Sequence, residues 1–306
     1  MTRSVEQAQV LVTGDRGFVG RHAMARWPAA TGLSTLAAAV DICDKASLHT
    51  ALDGFLPTAV LHLAGQSFVP ESFRDPEKTF EVNFFGTLRL LQVLAERGFK
   101  GRFLQVGSGD AYGQVPLAQL PIEESRALHP RNPYAVSKAA AEALCFQWSQ
   151  TGPFEVMMAR PFNHIGAGQA PSFAIADFAR QIAEMAAGRR APVLQVGNID
   201  VTRDFTDVAD VLRGYGLILA SGRNGEVYNV CSGVERTVRS LVQRLLLLAG
   251  VQADIVTDAT RFRPADQPRV WGSHAKLLAH TGWQPQVPMD ETLLNLYRYW
   301  ETEIGK

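Results

Sequence analysis

The chain has 306 residues, 46% hydrophobic and 20% charged, and its 30 basic and 30 acidic side chains cancel. That length carries one large domain or about two ordinary ones and needs no disulfide or structural metal to fold, while zero net charge removes the positive field that draws a nucleic-acid backbone. Cys43, Cys145 and Cys231 are far apart with no Cys-x-x-Cys pair, against a disulfide framework or a structural zinc, and no apolar run approaches the ~18 residues of a membrane span.

Gln9–Gly14 (QVLVTG) is a short apolar run ending in Thr-Gly, the pattern of a buried parallel strand. A helical stretch follows at Gly17–Ala29, then an Ala-rich strand candidate at Leu33–Val40 and another strand at Ala59–Ala64 (AVLHLA). Pro76–Arg97 predicts one long helix, with Phe80, Phe84, Leu88, Leu91 and Leu94 spaced three or four apart and Gly98 at its end. Arg102–Val106 predicts a strand leading into Gly107-Ser108-Gly109. Asn132-Pro133 opens the next helix with an N-cap residue and proline at the first helical position. Phe154–Ala159 predicts a further strand. Beyond about residue 165 short strands are expected at Val193–Val196, Val227–Val230 and Ile255–Val256, with helices at 172–187, 206–220, 236–249 and 289–303. Alternating strands and helices mean crossover units. The expected fold is α/β: a doubly wound, Rossmann-type parallel sheet over residues 1–165, to which later elements contribute, and a smaller α/β substrate-binding domain over 166–306. With no apolar leader before the first strand, the expected location is the cytoplasm.

Gly14, Gly17 and Gly20 have the spacing G-x-x-G-x-x-G directly between the first strand and the first helix. There, glycines permit a tight turn and close backbone approach, and the free N–H groups of the helix start face an anion such as a dinucleotide pyrophosphate. A carboxylate for the adenosine ribose is expected about 20 residues onward, but the first one is Asp41. Its lateness, with Arg16 inside the loop, leans towards NADP(H) over NAD(H).

Tyr134 and Lys138 lie four apart and therefore share one helix face. An ammonium beside a phenol is expected to lower its pKa and fit it to exchange a proton with a carbonyl oxygen. Ser108, just past a strand, is placed to hydrogen-bond the same oxygen. Ser108, Tyr134 and Lys138 thus form a candidate oxygen-polarising triad, with nicotinamide supplying the hydride. The seven histidines show no metal-ligand spacing, and no metal is expected.

TGDRGFVG, HLAGQS, the helix carrying Asn83-Phe84-Phe85-Gly86-Thr87, GSGDAYG, Tyr134-x-x-x-Lys138 and Arg160-Pro161-Phe162-Asn163 follow one another in that order. This set resembles the extended short-chain dehydrogenases/reductases that act on nucleotide sugars, over nearly the whole chain. RPFNHIGAGQ and VGNIDVTRDFTDV are similar to its GDP-mannose branch, which holds 4,6-dehydratases and GDP-4-dehydro-6-deoxy-D-mannose reductases. The resemblance implies cofactor contacts at Gly14, Arg16, Gly17, Phe18, Val19, Asp41, Ile42, Leu63, Ala64, Gly65, Tyr134, Lys138 and Pro161. It implies substrate contacts at Gln66, Ser67, Ser108, Asp110, Asn163, Arg203, Arg263 and Asp266. A diphosphate also calls for converging arginines, and Arg180 joins the candidates on that ground. The family pairs the Phe80–Leu88 helix with the Tyr134 helix in an intermolecular four-helix bundle, so a homodimer is expected.

Dehydration needs acid–base groups beside the catalytic serine to move protons at C5 and C6. Here Gly109 has no functional group and Asp110 is shorter than the glutamate usual in the family. Of the activities that the resemblance implies, the expected one is therefore reduction of the 4-keto group of GDP-4-dehydro-6-deoxy-α-D-mannose to GDP-D-rhamnose, with a 4,6-dehydratase or 4-epimerase as the alternative.

Overall fold

The computed structural model describes residues 8–37, 39–261 and 267–306. In chain order its strands are β1 (Val10–Thr13), β2 (Thr31–Gly32), β3 (Ala59–His62), β4 (Arg102–Val106), β5 (Glu155–Pro161), β6 (Asn163–Ile165), β7 (Val193–Val196), β8 (Thr202–Asp207), β9 (Val227–Val230), β10 (Glu235–Thr237) and β11 (Asp254–Thr257). Six of them form one parallel sheet in the order β2-β1-β3-β4-β5-β9. Register aligns Val12, Leu61, Leu104 and Met157 across four neighbouring strands. β1 and β3 are buried along their whole length, which is why they read as continuous apolar runs.

Each face of this sheet is covered by helices. On one side Val10, Val12, Leu61 and Leu104 pack with Val211, Leu212 and Tyr215 of the helix Val208–Ser221. On the other, Leu11, Val60, Phe103 and Val156 pack with Leu90, Leu91 and Leu94 of the helix Gly86–Glu96 and with Cys145 of the helix Pro133–Thr151. Each fully buried aliphatic side chain of this kind is worth about 1.5–3 kcal/mol. A separate core holds Ile175, Phe178, Ile182, Leu194, Leu241, Leu245, Leu293 and Leu296. The three-stranded sheet β10-β8-β6 and the pair β11-β7 belong to this later part of the chain. β9 returns from it to pair with β5 in the central sheet.

Two sequence expectations are corrected, and one further element is added. The strand expected at Leu33–Val40 does not form. β2 is Thr31–Gly32, and Leu33–Leu36 is a helical turn. The cause is Asp15, whose carboxylate accepts from the Ser34 amide at 3.1 Å and from the Ser34 hydroxyl, turning the chain away from the sheet. The helix expected at Pro76–Arg97 is continuous but contains a π-helical segment, Glu81–Phe85. Finally, Val69–Arg74 is a helix that the sequence did not announce.

Candidate active site

A cavity of about 2150 Å³ opens at the carboxyl ends of β1, β3, β4 and β5, where ligands of open α/β sheets bind. Its wall at β1 is the glycine loop. Gly14 has φ +69°, and a Cβ there would come within 2.8 Å of the Ala64 amide nitrogen. A Cβ at Gly20 would collide with the Gly14 carbonyl. The Gly17 amide donates to the Gly14 carbonyl at 2.9 Å, and Gly17 caps the helix Phe18–Arg26 without any side-chain acceptor. The first helical N–H groups are thus left for an anion. Arg16 is exposed beside this loop and donates to the Ser34 carbonyl at 3.4 Å. Where a ribose-binding acid would end β2, the chain has Leu33 and Ser34. Asp41 and Ile42 also line the cavity, but Asp41 spends its carboxylate on the Cys43 amide in a local turn.

The triad residues meet at the end of β4. Asn132 accepts from the Ala135 amide at 2.7 Å and starts the helix Pro133–Thr151, which carries Tyr134 and Lys138. Ser108 follows β4, and its hydroxyl accepts from the Asp110 amide at 3.1 Å. Asp110 is held in turn by the Asn132 side chain at 3.1 Å. Burial pushes the Tyr134 phenol up to about 12, a hydrogen bond with Ser108 pulls it down, and Asp110 pushes it up. This corrects the expectation that Lys138 lowers it. The Lys138 ammonium donates to the Val106 carbonyl at 2.9 Å, and burial brings its own pKa down to about 8.

Asn83, in the π-helical segment, is a residue that sequence reasoning left out of the site. Its side chain accepts from the Gln66 amide at 2.8 Å and donates to the Gln66 carbonyl at 3.0 Å and to Ser137 at 2.9 Å. It clamps the loop after β3 to the Tyr134 helix, and a Cβ at Gly65 would meet both Asn83 and Lys138. A π-turn often marks such a functional position. Behind it, Thr13 bonds His62 Nδ1 at 2.6 Å, His62 Nε2 bonds Thr87 at 3.0 Å, and Thr87 donates to the Asn83 carbonyl at 2.8 Å. Burial brings His62 down to about 3, with Lys138 adding to the effect, so this link is neutral.

Phe18, Val19, Leu63, Ala64, Gly65, Gln66, Ser67, Pro161, Asn163 and Arg203 line the same cavity as the loop and the triad. Arg203 donates to the Gln267 and Thr202 carbonyls, each at 2.7 Å. Arg180 is not brought there. Asp177 at 2.6 Å and Glu184 hold its guanidinium on its own helix. Arg261 lines the cavity instead, paired with Asp177 at 2.8 Å. Arg263 and Asp266 lie outside the described residues. Arg261 stands two residues before Arg263 in the sequence and was not among the candidates, and nothing in the sequence ranks one arginine over the other. Among the described residues no group of His, Cys, Asp and Glu is arranged to hold a metal ion, and no helix is long and apolar enough to cross a membrane.

Residues 34–296 match the model of a family described as GDP-mannose 4,6 dehydratase. The chain is 51% identical over 299 residues to the GDP-6-deoxy-D-mannose reductase of Pseudomonas aeruginosa, covering 97% of this chain and 98% of that protein. Among solved structures it is similar to RMD from Pseudomonas aeruginosa complexed with NADPH, with a TM-score of 0.91, 50% identity, and 96% and 99% of the two chains covered. It is also similar to the UDP-glucose 4-epimerase of Thermus thermophilus in complex with NAD, with a TM-score of 0.82, 30% identity, and 95% and 98% covered.

Proposed function

Because the chain belongs to the GDP-mannose 4,6 dehydratase family, we infer that it is a reductase of a GDP-linked 4-keto sugar, converting GDP-4-dehydro-6-deoxy-α-D-mannose to GDP-D-rhamnose with NADPH. The observation that carries this reading is the 51% identity along 97% of the chain to a GDP-6-deoxy-D-mannose reductase.

The residues at β1 fit a dinucleotide. Gly14 and Gly20 leave room that a Cβ would fill, and the helix start behind Gly17 lacks a side-chain acceptor. Arg16 and the absence of a carboxylate at Leu33–Ser34 suit a 2′-phosphate better than a free 2′-hydroxyl. When bound, NADPH supplies a hydride to C4 of the sugar. Tyr134 gives its proton to the oxygen at C4, Ser108 hydrogen-bonds that oxygen, and Lys138 keeps positive charge in the same wall. A phenol pushed up to about 12 enters the reaction protonated. In reduction that proton goes to the sugar oxygen. Gly109 beside Ser108 offers no second acid–base group, which supports reduction over dehydration. Asn163, Gln66, Ser67, Arg203 and the Arg263–Asp266 stretch are assigned to the nucleotide sugar, residues 1–165 mainly to the cofactor and 166–306 mainly to the substrate.

We further propose a homodimer. Phe85, Val136 and Phe146 are large apolar residues left exposed on the helical segments that carry Asn83 and Tyr134, as an intermolecular four-helix bundle would require. Light scattering should give twice the mass of the chain at micromolar concentration; a monomer there contradicts the bundle. Three unpaired cysteines suit a reducing compartment, so the cytoplasm is the assigned location. The proton-donor role is tested with Tyr134→Phe. Turnover should fall by about a thousandfold, within the range of general acid catalysis, while NADPH binding is retained. Turnover within a few-fold of the parent would remove Tyr134 from the mechanism.

A further inference from the structure

Tyr215 lies in the middle of the helix Val208–Ser221 and is fully buried. Its hydroxyl has no hydrogen-bond partner among the described residues, yet the side chain lines the active-site cavity. A buried hydroxyl without a partner is disfavoured, and native proteins rarely leave one. Such a group at a cavity wall calls for a partner that arrives with the ligand.

The direction of the helix says which part of the ligand this is. Its first residue, Val208, faces Gly166 just past the end of β6. Its last turn accepts from Arg102 at the start of β4 through the carbonyls of Ile218 and Gly222. The helix therefore runs antiparallel to the sheet, and its side chains tilt towards its own N-terminus. That tilt carries the Tyr215 ring, which packs in the same core as Val106 and Ala159, towards the carboxyl ends of β4 and β5. Tyr134 reaches the same place from the opposite face of the sheet. Burial and the nearby Tyr134 hold the Tyr215 phenol above its usual value, so it stays protonated and able to donate. A dinucleotide held by the β1 loop at its pyrophosphate and by Arg16 and Ser34 at its adenosine would have its nicotinamide on the side of β4 and β5.

We propose that the Tyr215 hydroxyl is the hydrogen-bond partner of the nicotinamide carboxamide and thereby fixes the rotation of the reacting ring. The inference rests on the reading of NADPH as the reductant. A carboxamide presents both a donor and an acceptor, and a phenolic hydroxyl can complement either.

The test is Tyr215→Phe, which keeps the ring and removes only the unpartnered oxygen. Fluorescence titration should show NADPH bound about five- to tenfold more weakly, the worth of one hydrogen bond. Affinity for 2′-phospho-ADP-ribose, which lacks the nicotinamide, should be unchanged. The ligand-free variant should melt at the parent's temperature or above it. Unchanged NADPH affinity overturns the proposal, as does an equal loss for both ligands. So does a lower melting temperature without ligand, which would mean that the hydroxyl already has a partner inside the protein. Parent protein that fails to bind NADPH at all would overturn the functional reading itself, and this proposal with it.

Discussion

Tyr134 illustrates what a spacing rule can and cannot tell. The interval of four to Lys138 is legible in the sequence because helix geometry puts the two residues on one face. Where the ammonium goes is not. It goes to the Val106 carbonyl at 2.9 Å, a backbone group supplied by β4 and invisible to any side-chain motif. The same holds for Arg180 and Arg261: Asp177 bonds both guanidiniums, but only Arg261 lines the cavity, a choice made by tertiary packing. The glycine loop was readable because Gly14 and Gly20 act through the backbone, where only the absence of a Cβ matters. The acidity of Tyr134 has a consequence for pH. The phenol is raised to about 12 and, as the proposed proton donor, has to be protonated to act, while burial brings Lys138 down to about 8. kcat/KM for reduction should therefore be level through neutral pH and fall only on the alkaline side, at or above about pH 8. An acid limb near neutrality, the mark of a phenolate acting as base, would contradict the assigned direction.

Among elements, those with one strong local signal formed where the sequence placed them. β4 is the run Arg102–Val106, and the Asn132-Pro133 pair opens its helix as a capped start should. β2 failed because its competitor was distant in sequence: Asp15, nineteen residues earlier, bonds Ser34 and folds the expected strand into a helical turn. The π-helical segment Glu81–Phe85 was hidden because an apolar stripe at helical spacing survives one wider turn. The Tyr134 helix is also tied to the sheet. Glu142 receives Arg160 of β5 through two bonds of 2.8 and 2.6 Å, both residues nearly buried. Arg160 also donates to Tyr112 at 2.7 Å and stacks over its ring at 4.7 Å, just past the Ser108 loop. Tyr112 in turn bonds Asn229 of β9 at 2.7 Å. Removing one member leaves an uncompensated buried charge. Arg160→Met should therefore lower stability by about 3–5 kcal/mol in urea unfolding, and adding Glu142→Leu should recover a large part of that. A single variant as stable as the parent would show that the pair is not a structural node.

At the scale of the whole molecule, the alternation of strands and helices was enough to predict a parallel sheet with its ligands at the carboxyl ends of the strands. That later elements would join this sheet was expected, but not which strand or against which neighbour: β9 joins β5 by parallel pairing between segments about seventy residues apart, and register between distant buried strands leaves no local pattern. The cavity of about 2150 Å³ is bounded by both parts of the chain, with the glycine loop, Arg203 and Arg261 all in its lining. The proposed function asks it to take a dinucleotide and a nucleotide sugar together. The most direct test supplies the purified protein with GDP-4-dehydro-6-deoxy-α-D-mannose and NADPH, follows the nicotinamide absorbance, and identifies the sugar by NMR. One NADPH consumed per GDP-D-rhamnose formed is the predicted result. No consumption of NADPH, or conversion of GDP-mannose itself with the cofactor only recycled, would contradict it.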